Sequence, residues 1–252
     1  MSTPVAYTNV AGRVRISAKY VSSERLASSR YFIAWDQIDT VILDMDGTLL
    51  DLHFDQAVWG QLLPQRFAAA LGCTIEQATL EVARRLAAAR GTLAWYCLDH
   101  WSAQLGIDVA SLEQELSHLV QPRPGAISFL QALAHAGYHL VLATNAHPEG
   151  MRRKFDLTGI DRYFDVVGCA HDYGYCKEDP AFWPPFARDL VIDPTRTLLI
   201  DDNHAVLRAA RQFGIAYVVG VQYPDLLGPQ ITSPEFHCID SFDDLLGLPT
   251  PE

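Results

Sequence analysis

Five short apolar runs punctuate this chain, each the length of a strand rather than of a helix. They are TVILDMD (40–46), HLVLATNA (139–146), FDVVGCA (164–170), TLLIDD (197–202) and AYVVGV (216–221). None alternates strictly between apolar and polar residues, so each reads as a strand buried on both faces, as in a parallel sheet covered by helices. Between them, PGAISFLQALAHAG (124–137) and HAVLRAARQFG (204–214) read as helices that stop at glycine. Strand and helix in alternation, with right-handed crossovers, predict an α/β fold with a doubly wound parallel sheet.

One interval departs from that rhythm. Residues 54–121 carry no strand pattern and predict an inserted all-helical cap. TIEQ (74–77) and SLEQ (111–114) each have the form of a capping box. Leu62, Leu63, Phe67 and Leu71 recur at helical spacing, with Pro64 expected to kink or interrupt that helix. QPRPG (121–125) returns the chain to the core, so residues 31–53 and 122–252 form the α/β unit, with hinges expected near Leu52 and Gln121. Residues 1–30 are polar and weakly patterned and predict a disordered N-terminal extension.

With 252 residues, 49% of them hydrophobic, the chain can bury a substantial core, which excludes global disorder. A net charge of −11 argues against a nucleic-acid polymer or a membrane as partner. An anionic substrate would then need a metal or a few placed cations. Five scattered cysteines suggest no disulfide framework and a cytoplasmic location. No apolar run reaches membrane-spanning length and no secretory signal is visible. Neither a Walker loop nor G-x-G-x-x-G is present. Cys97-x-x-His100, and Cys169-x-His171 with Cys176, lack the paired framework of a zinc site. The basic run MRRK (151–154) reads as a solvated helix face.

Ligands of open α/β sheets bind beyond the carboxyl ends of the strands. There this sequence places Asp44 and Asp46, then Thr144 and Asn145, then Asp201 and Asp202, with Lys177 in the loop after the third run. Asp179 is placed to cap a helix that Pro180 begins. Singly, each of these polar groups also fits a tight turn, a helix cap or a solvated lysine. Together they would crowd several carboxylates, which repel unless a cation neutralises them. Hard oxygen ligands with few nitrogens point to Mg²⁺, with Mn²⁺ as a substitute.

Asp44-x-Asp46-Gly47-Thr48, Thr144-Asn145, Lys177 and Asp201-Asp202 resemble, in order and spacing, the haloacid dehalogenase-like (HAD) superfamily phosphatases over residues 36–225. KEDP (177–180) departs from the Lys-Pro-x-Pro of many relatives but keeps the lysine. The resemblance implies Asp44 as nucleophile and Asp46 as acid, then base. It implies Mg²⁺ on Asp44, the Asp46 carbonyl, Asp201 and Asp202, with Thr144, Asn145 and Lys177 binding phosphate. The dehalogenases of the superfamily lack the second acid, so Asp46 favours phosphoryl transfer. DTVILDMDGTLLDLHFD (39–55), WYCLDHWSAQLG (95–106), TNAHP (144–148) and YGYCKED (173–179) further resemble the bacterial GMP/IMP nucleotidases of this superfamily. That implies a purine nucleotide as the small-molecule phosphomonoester substrate. His53, Phe54, Trp95, Tyr96 and His147 are the candidates for substrate specificity, although Trp95, Leu98 and Leu105 also fit one helical face as core. Two other readings are a phosphatase or phosphomutase acting on sugar phosphates, and an inactive HAD scaffold that binds a protein.

Overall fold

The five apolar runs lie side by side in one parallel sheet. In this computed structural model, which describes residues 33–245, the strands are β1 (Thr40–Leu43), β2 (His139–Thr144), β3 (Val166–Cys169), β4 (Thr197–Ile200), β5 (Tyr217–Val221) and β6 (Cys238–Ile239). Their order across the sheet is β3-β2-β1-β4-β5-β6. The two-residue β6 is an addition to the predicted set; it is too short to leave an apolar run. The expected extension 1–30 lies outside the described residues.

The described helices, in chain order, are α1 (His53–Ala57), α2 (Leu63–Leu71), α3 (Ile75–Ala89), α4 (Leu98–Leu105), α5 (Val109–Glu115), α6 (Ala126–His135), α7 (Pro148–Thr158), α8 (Ala170–Tyr173), α9 (Trp183–Asp189) and α10 (His204–Phe213). Successive strand residues face opposite ways. Val41 and Leu43 therefore pack with Phe129, Leu130 and Leu133 of α6, while Ile42 packs with Trp183 and Phe186 of α9 and Val206 of α10. Both faces of the sheet are thus covered by helices, which is why β1 can be wholly apolar.

β1 has β2 on one side and β4 on the other, so the strand order reverses at β1 and a crevice opens beyond its carboxyl end. Register decides what stands in that crevice. Leu43 is paired with Ile200, so the next residues, Asp44 and Asp201, emerge as neighbours.

Helices α1 to α5 lie between β1 and β2, and their apolar faces form a cluster of their own around Phe67, Val82, Trp101 and Leu112. The two connections to this helical insertion run side by side. Leu50 bridges Pro122, Asp51 N–H donates to the Gln121 carbonyl at 3.0 Å, and Arg123 N–H donates to the Leu49 carbonyl at 2.8 Å. Asp51 is buried, and its carboxylate accepts from the backbone N–H groups of His53 and Leu226, each at 3.1 Å.

Local signals held in part. Thr74 and Gln77 form the expected reciprocal capping box. SLEQ does not: α5 starts earlier, capped by Asp108, which accepts from Ser111 N–H at 3.1 Å. A carboxylate three residues upstream outcompetes the serine, since a charged acceptor suits the positive helix start. Pro64 sits in the first turn of α2, and the interruption falls before it as a π-helical turn, Val58–Leu62. Asp179 caps a turn through Ala181 N–H at 2.9 Å, and the helix begins only at Trp183. Pro184 and Pro185 lack N–H donors and fit only a first turn, so they fix that later start.

Replacing Asp51 by alanine strands two backbone donors at the insertion's root. Urea denaturation of Asp51→Ala is expected to read a loss of about 1–3 kcal/mol; a midpoint equal to that of the parent would contradict this role.

Candidate active site

The residues that end the strands converge. Lys177, buried, donates from Nζ to Asp44 Oδ1 at 2.5 Å, Asp201 Oδ2 at 2.7 Å and the Ala143 carbonyl at 2.9 Å. All three ammonium protons are therefore used, and the solvated-surface reading of this lysine is excluded. The lysine backbone is fixed as well: its N–H donates to Asn145 Oδ1 at 2.8 Å, and its carbonyl accepts from Trp183 Nε1 at 3.0 Å. Burial works against the charged ammonium, but the Asp201 and Asp44 carboxylates outweigh it and hold its pKa above the ordinary lysine value.

After Asp44 the chain turns sharply. Gly47 has φ +86°, and a Cβ there would lie 2.6 Å from Asp202 Oδ2, so only glycine lets the turn approach that carboxylate. Thr48 Oγ1 accepts from Asp202 N–H at 3.1 Å, which locks the two loops together. Asp44, Asp201 and Asp202 each bring an oxygen to within 4.8 Å of the others. Asp44 Oδ2 is buried without a hydrogen-bond partner. Three hard oxygens around one orphaned buried atom fit a divalent cation of the magnesium type.

Burial pushes the Asp44 carboxyl up to about 7; Lys177 pulls against this and Asp201 adds repulsion. Burial also raises Asp201 and Asp202, the latter reinforced by repulsion from Asp44 and Asp201. Metal-free, the cluster is thus short of positive charge.

A cavity of about 560 Å³ lies between these strand ends and the helical insertion. Its wall includes Asp44, Asp46, Thr144, Asn145, His147, Lys177, Asp201 and Asp202 from the core. Trp59, Leu86, Arg90, Trp95 and Tyr96 line it from the insertion. The sequence-predicted core residues therefore meet at one place, as do three of the five specificity candidates.

The other two lie elsewhere. Phe54 is buried in the insertion's own core, and His53 approaches Asp225 at 3.5 Å; neither lines the cavity. Both start α1, whose Phe54 side turns toward the insertion's apolar cluster. Trp95 is half-buried on a 3₁₀ turn, while Leu98 and Leu105 are buried, so it does not share their core face. His147 caps α7, accepting from Glu149 N–H at 3.4 Å. Thr144 Oγ1 accepts from Ala146 N–H at 3.0 Å.

Two further residues escaped sequence reasoning. Glu178 accepts from Asn145 Nδ2 and Asn203 Nδ2, each at 2.9 Å, and from the Tyr96 hydroxyl of the insertion. Burial and the Glu178 charge hold the Tyr96 hydroxyl far above its usual pKa, so it acts as a donor. Lys154, the last residue of MRRK, is buried rather than solvated: Nζ donates to Asp46 Oδ1 at 2.6 Å and to Asp55 Oδ1 at 3.0 Å. Its spacing from Gly150, one helical turn on the face of α7 that meets the insertion, is the signal that would have found it.

A family model described as haloacid dehalogenase-like hydrolase matches residues 38–214. The chain is 44% identical over 193 residues to the GMP/IMP nucleotidase of Escherichia coli (strain K12), covering 77% of this chain and 87% of that protein. The GMP/IMP nucleotidase of Shigella flexneri gives the same figures, 44% over 193 residues with 77% and 87% coverage. Among solved structures, a HAD phosphatase from Thermococcus onnurineus aligns with a TM-score of 0.72 at 21% identity, covering 84% of this chain and 99% of that one. At that identity the likeness speaks for the fold.

The raised carboxyl values set a pH test. A carboxyl whose folded pKa lies above its unfolded value of about 3.9 stabilises the fold below that value. It loses this contribution as pH rises through about 7. In EDTA, the melting temperature is expected to fall between about pH 5.5 and 8. Excess Mg²⁺ should raise it by an amount that grows with pH, because the cation needs ionised carboxylates. An equal rise at both ends of that range would contradict the assignment.

Proposed function

The chain belongs to the haloacid dehalogenase-like hydrolases, and from that premise we propose that it is a magnesium-dependent 5′-nucleotidase acting on purine monophosphates such as GMP and IMP. The observation that carries this reading is the buried Asp44–Lys177–Asp201 cluster with its orphaned Asp44 oxygen, which opens into the cavity lined by Trp59 and Trp95.

Magnesium held by Asp44, Asp201, Asp202 and the Asp46 carbonyl would supply positive charge to a phosphoryl group and to the nucleophile. Asp44 attacks phosphorus; the P–O ester bond breaks and its electron pair leaves with the nucleoside oxygen, giving an aspartyl-phosphate. Asp46 gives that oxygen its proton, then takes one from the water that attacks the aspartyl-phosphate. Lys177 holds one Asp44 oxygen at 2.5 Å, which fixes the orientation of the carboxylate. Thr144 and the N–H groups beside Asn145 bind phosphoryl oxygens. A planar purine fits against Trp59 and Trp95, and the Arg90 guanidinium lies 5.4 Å above the Trp95 ring centroid. The Arg90 side chain makes no hydrogen bond or ion pair among the described residues; its donors suit the O6 and N7 acceptors of a 6-oxopurine. The helices over the cavity would act as the cap, covering residues 54–121.

A phosphomonoester screen tests the reading. GMP and IMP are expected to exceed ribose 5-phosphate by at least about 10-fold in kcat/KM, since the base supplies remote binding energy. EDTA should abolish turnover, and Asp44→Asn should lower kcat by at least about 1,000-fold. Equal rates on GMP and ribose 5-phosphate would remove the nucleotidase claim; unchanged turnover in Asp44→Asn would remove the covalent one.

A further inference from the structure

Among the described residues Lys154 is the second buried ammonium beside Lys177, and the mechanism above leaves it without a task. Its side chain is 4% exposed. It lies on α7 of the core, yet its partners lie on both sides of the cavity. Nζ donates to Asp46 Oδ1 at 2.6 Å, and to Asp55 Oδ1 and Oδ2 at 3.0 and 3.2 Å. It also stands 5.0 Å from the centroid of the Phe54 ring. Asp55 and Phe54 belong to α1, the first helix of the insertion.

The surroundings hold this arrangement in place. Glu113 of α5 is buried close by and takes a hydrogen bond from Arg153 at 2.6 Å. Arg153 also reaches Glu149 at 2.9 Å. Gly150, one turn before Lys154, lets α5 come close: a Cβ there would lie 3.0 Å from Glu113 Oε2. Two adjacent cations of α7 therefore each bind a carboxylate of the insertion. Taking an ammonium out of water is costly, and an apolar residue would pack α7 without that penalty. A charge kept here against that cost needs a use.

The use is legible in the two oxygens of Asp46. Oδ1 is held by Lys154, while Oδ2 accepts no hydrogen bond from any described residue. Asp46 lines the cavity beside Asp44. We propose that Lys154 is a positioning residue for Asp46: it grips Oδ1, is itself braced by Asp55, and leaves Oδ2 facing the cavity as the oxygen that passes the proton. Oδ2 gives its proton to the leaving oxygen as the P–O bond breaks, then takes one from the attacking water. Lys154 neither gives nor takes a proton in either step. This rests on the reading of Asp46 as acid and base.

The test compares Lys154→Met, Lys154→Gln, Lys154→Arg and Asp46→Asn on GMP and on p-nitrophenyl phosphate. The nucleoside alkoxide needs a proton to leave; p-nitrophenolate does not. Lys154→Met is expected to lower kcat on GMP by at least about 10-fold, below the about 100–10,000-fold that a whole acid–base group contributes. KM should stay within about 3-fold, since no substrate contact is lost. With p-nitrophenyl phosphate, Lys154→Met should still release a first burst of one equivalent of p-nitrophenolate, followed by slow turnover. Lys154→Arg should restore part of kcat on GMP. If Lys154→Met does not fold, Lys154→Gln, which keeps a polar side chain but lacks the charge and one bond of reach, reads the same split.

Wild-type kcat on GMP in the folded variant overturns the proposal. So does loss of the burst together with turnover, which would mean a merely structural role. If Asp46→Asn itself hydrolyses GMP at the parent rate, the reading of Asp46 fails. If Asp46→Asn is inactive while Lys154→Met matches the parent, only the role of Lys154 fails.

Discussion

One ammonium group, Lys177 Nζ, holds the site together. It reaches Asp44 at the end of β1, Ala143 in β2 and Asp201 at the end of β4, so it ties three neighbouring strands at their carboxyl edge. Without it, Asp44 and Asp201 would be buried like charges on paired strands, and one of them would have to stay protonated. With it, two carboxylates are matched by one cation, and Asp202 with the unpartnered Asp44 oxygen remains. That residual negative charge is what a divalent cation would neutralise. An acidic protein can thereby accept a phosphate ester where its overall charge would repel one.

Apart from Leu93 and Val120, which pack against the core's apolar clusters, the helical insertion is joined to this centre by polar contacts. Its apolar residues form a separate cluster. At its root, Asp51 binds backbone donors from two segments. Across the cavity, Tyr96 meets Glu178, and Asp55 meets Lys154. Both of the contacts across the cavity end on a residue that also touches a strand-end loop of the core: Glu178 on Asn145, and Lys154 on Asp46. The cavity is thus bounded by one hydrogen bond, Tyr96 to Glu178, and one ion pair, Lys154 with Asp55, each joining its two walls.

The sheet was legible because burial on both faces leaves apolar runs of strand length, set apart by polar and glycine-ended segments. The core site was legible for a related reason: Asp44, Thr144 and Asp201 follow such runs directly, and register brings their ends together. Lys177 was recognised by its place in order and spacing, though its burial was not. Lys154 was hidden because a basic run on a helix usually faces water, and only tertiary packing reveals which lysine turns inward. Its partners, Asp46 and Asp55, lie far away in sequence, and nothing in the basic run points to them. Glu178 looked like a departure from a familiar loop, KEDP, yet it joins Asn145, Asn203 and Tyr96. His53 and Phe54 follow the first motif closely, but helix α1 turns Phe54 into the insertion's core.

The central claim is that Asp44, and not its neighbour two residues on, takes the phosphoryl group. Acid quenching during turnover of GMP with Mg²⁺, followed by peptide mass spectrometry, reads this directly. The account predicts a mass gain of one phosphoryl group on Asp44, with Asp46 unmodified. A phosphoryl group on Asp46, or no phosphorylated carboxylate at any time while product accumulates, would contradict it.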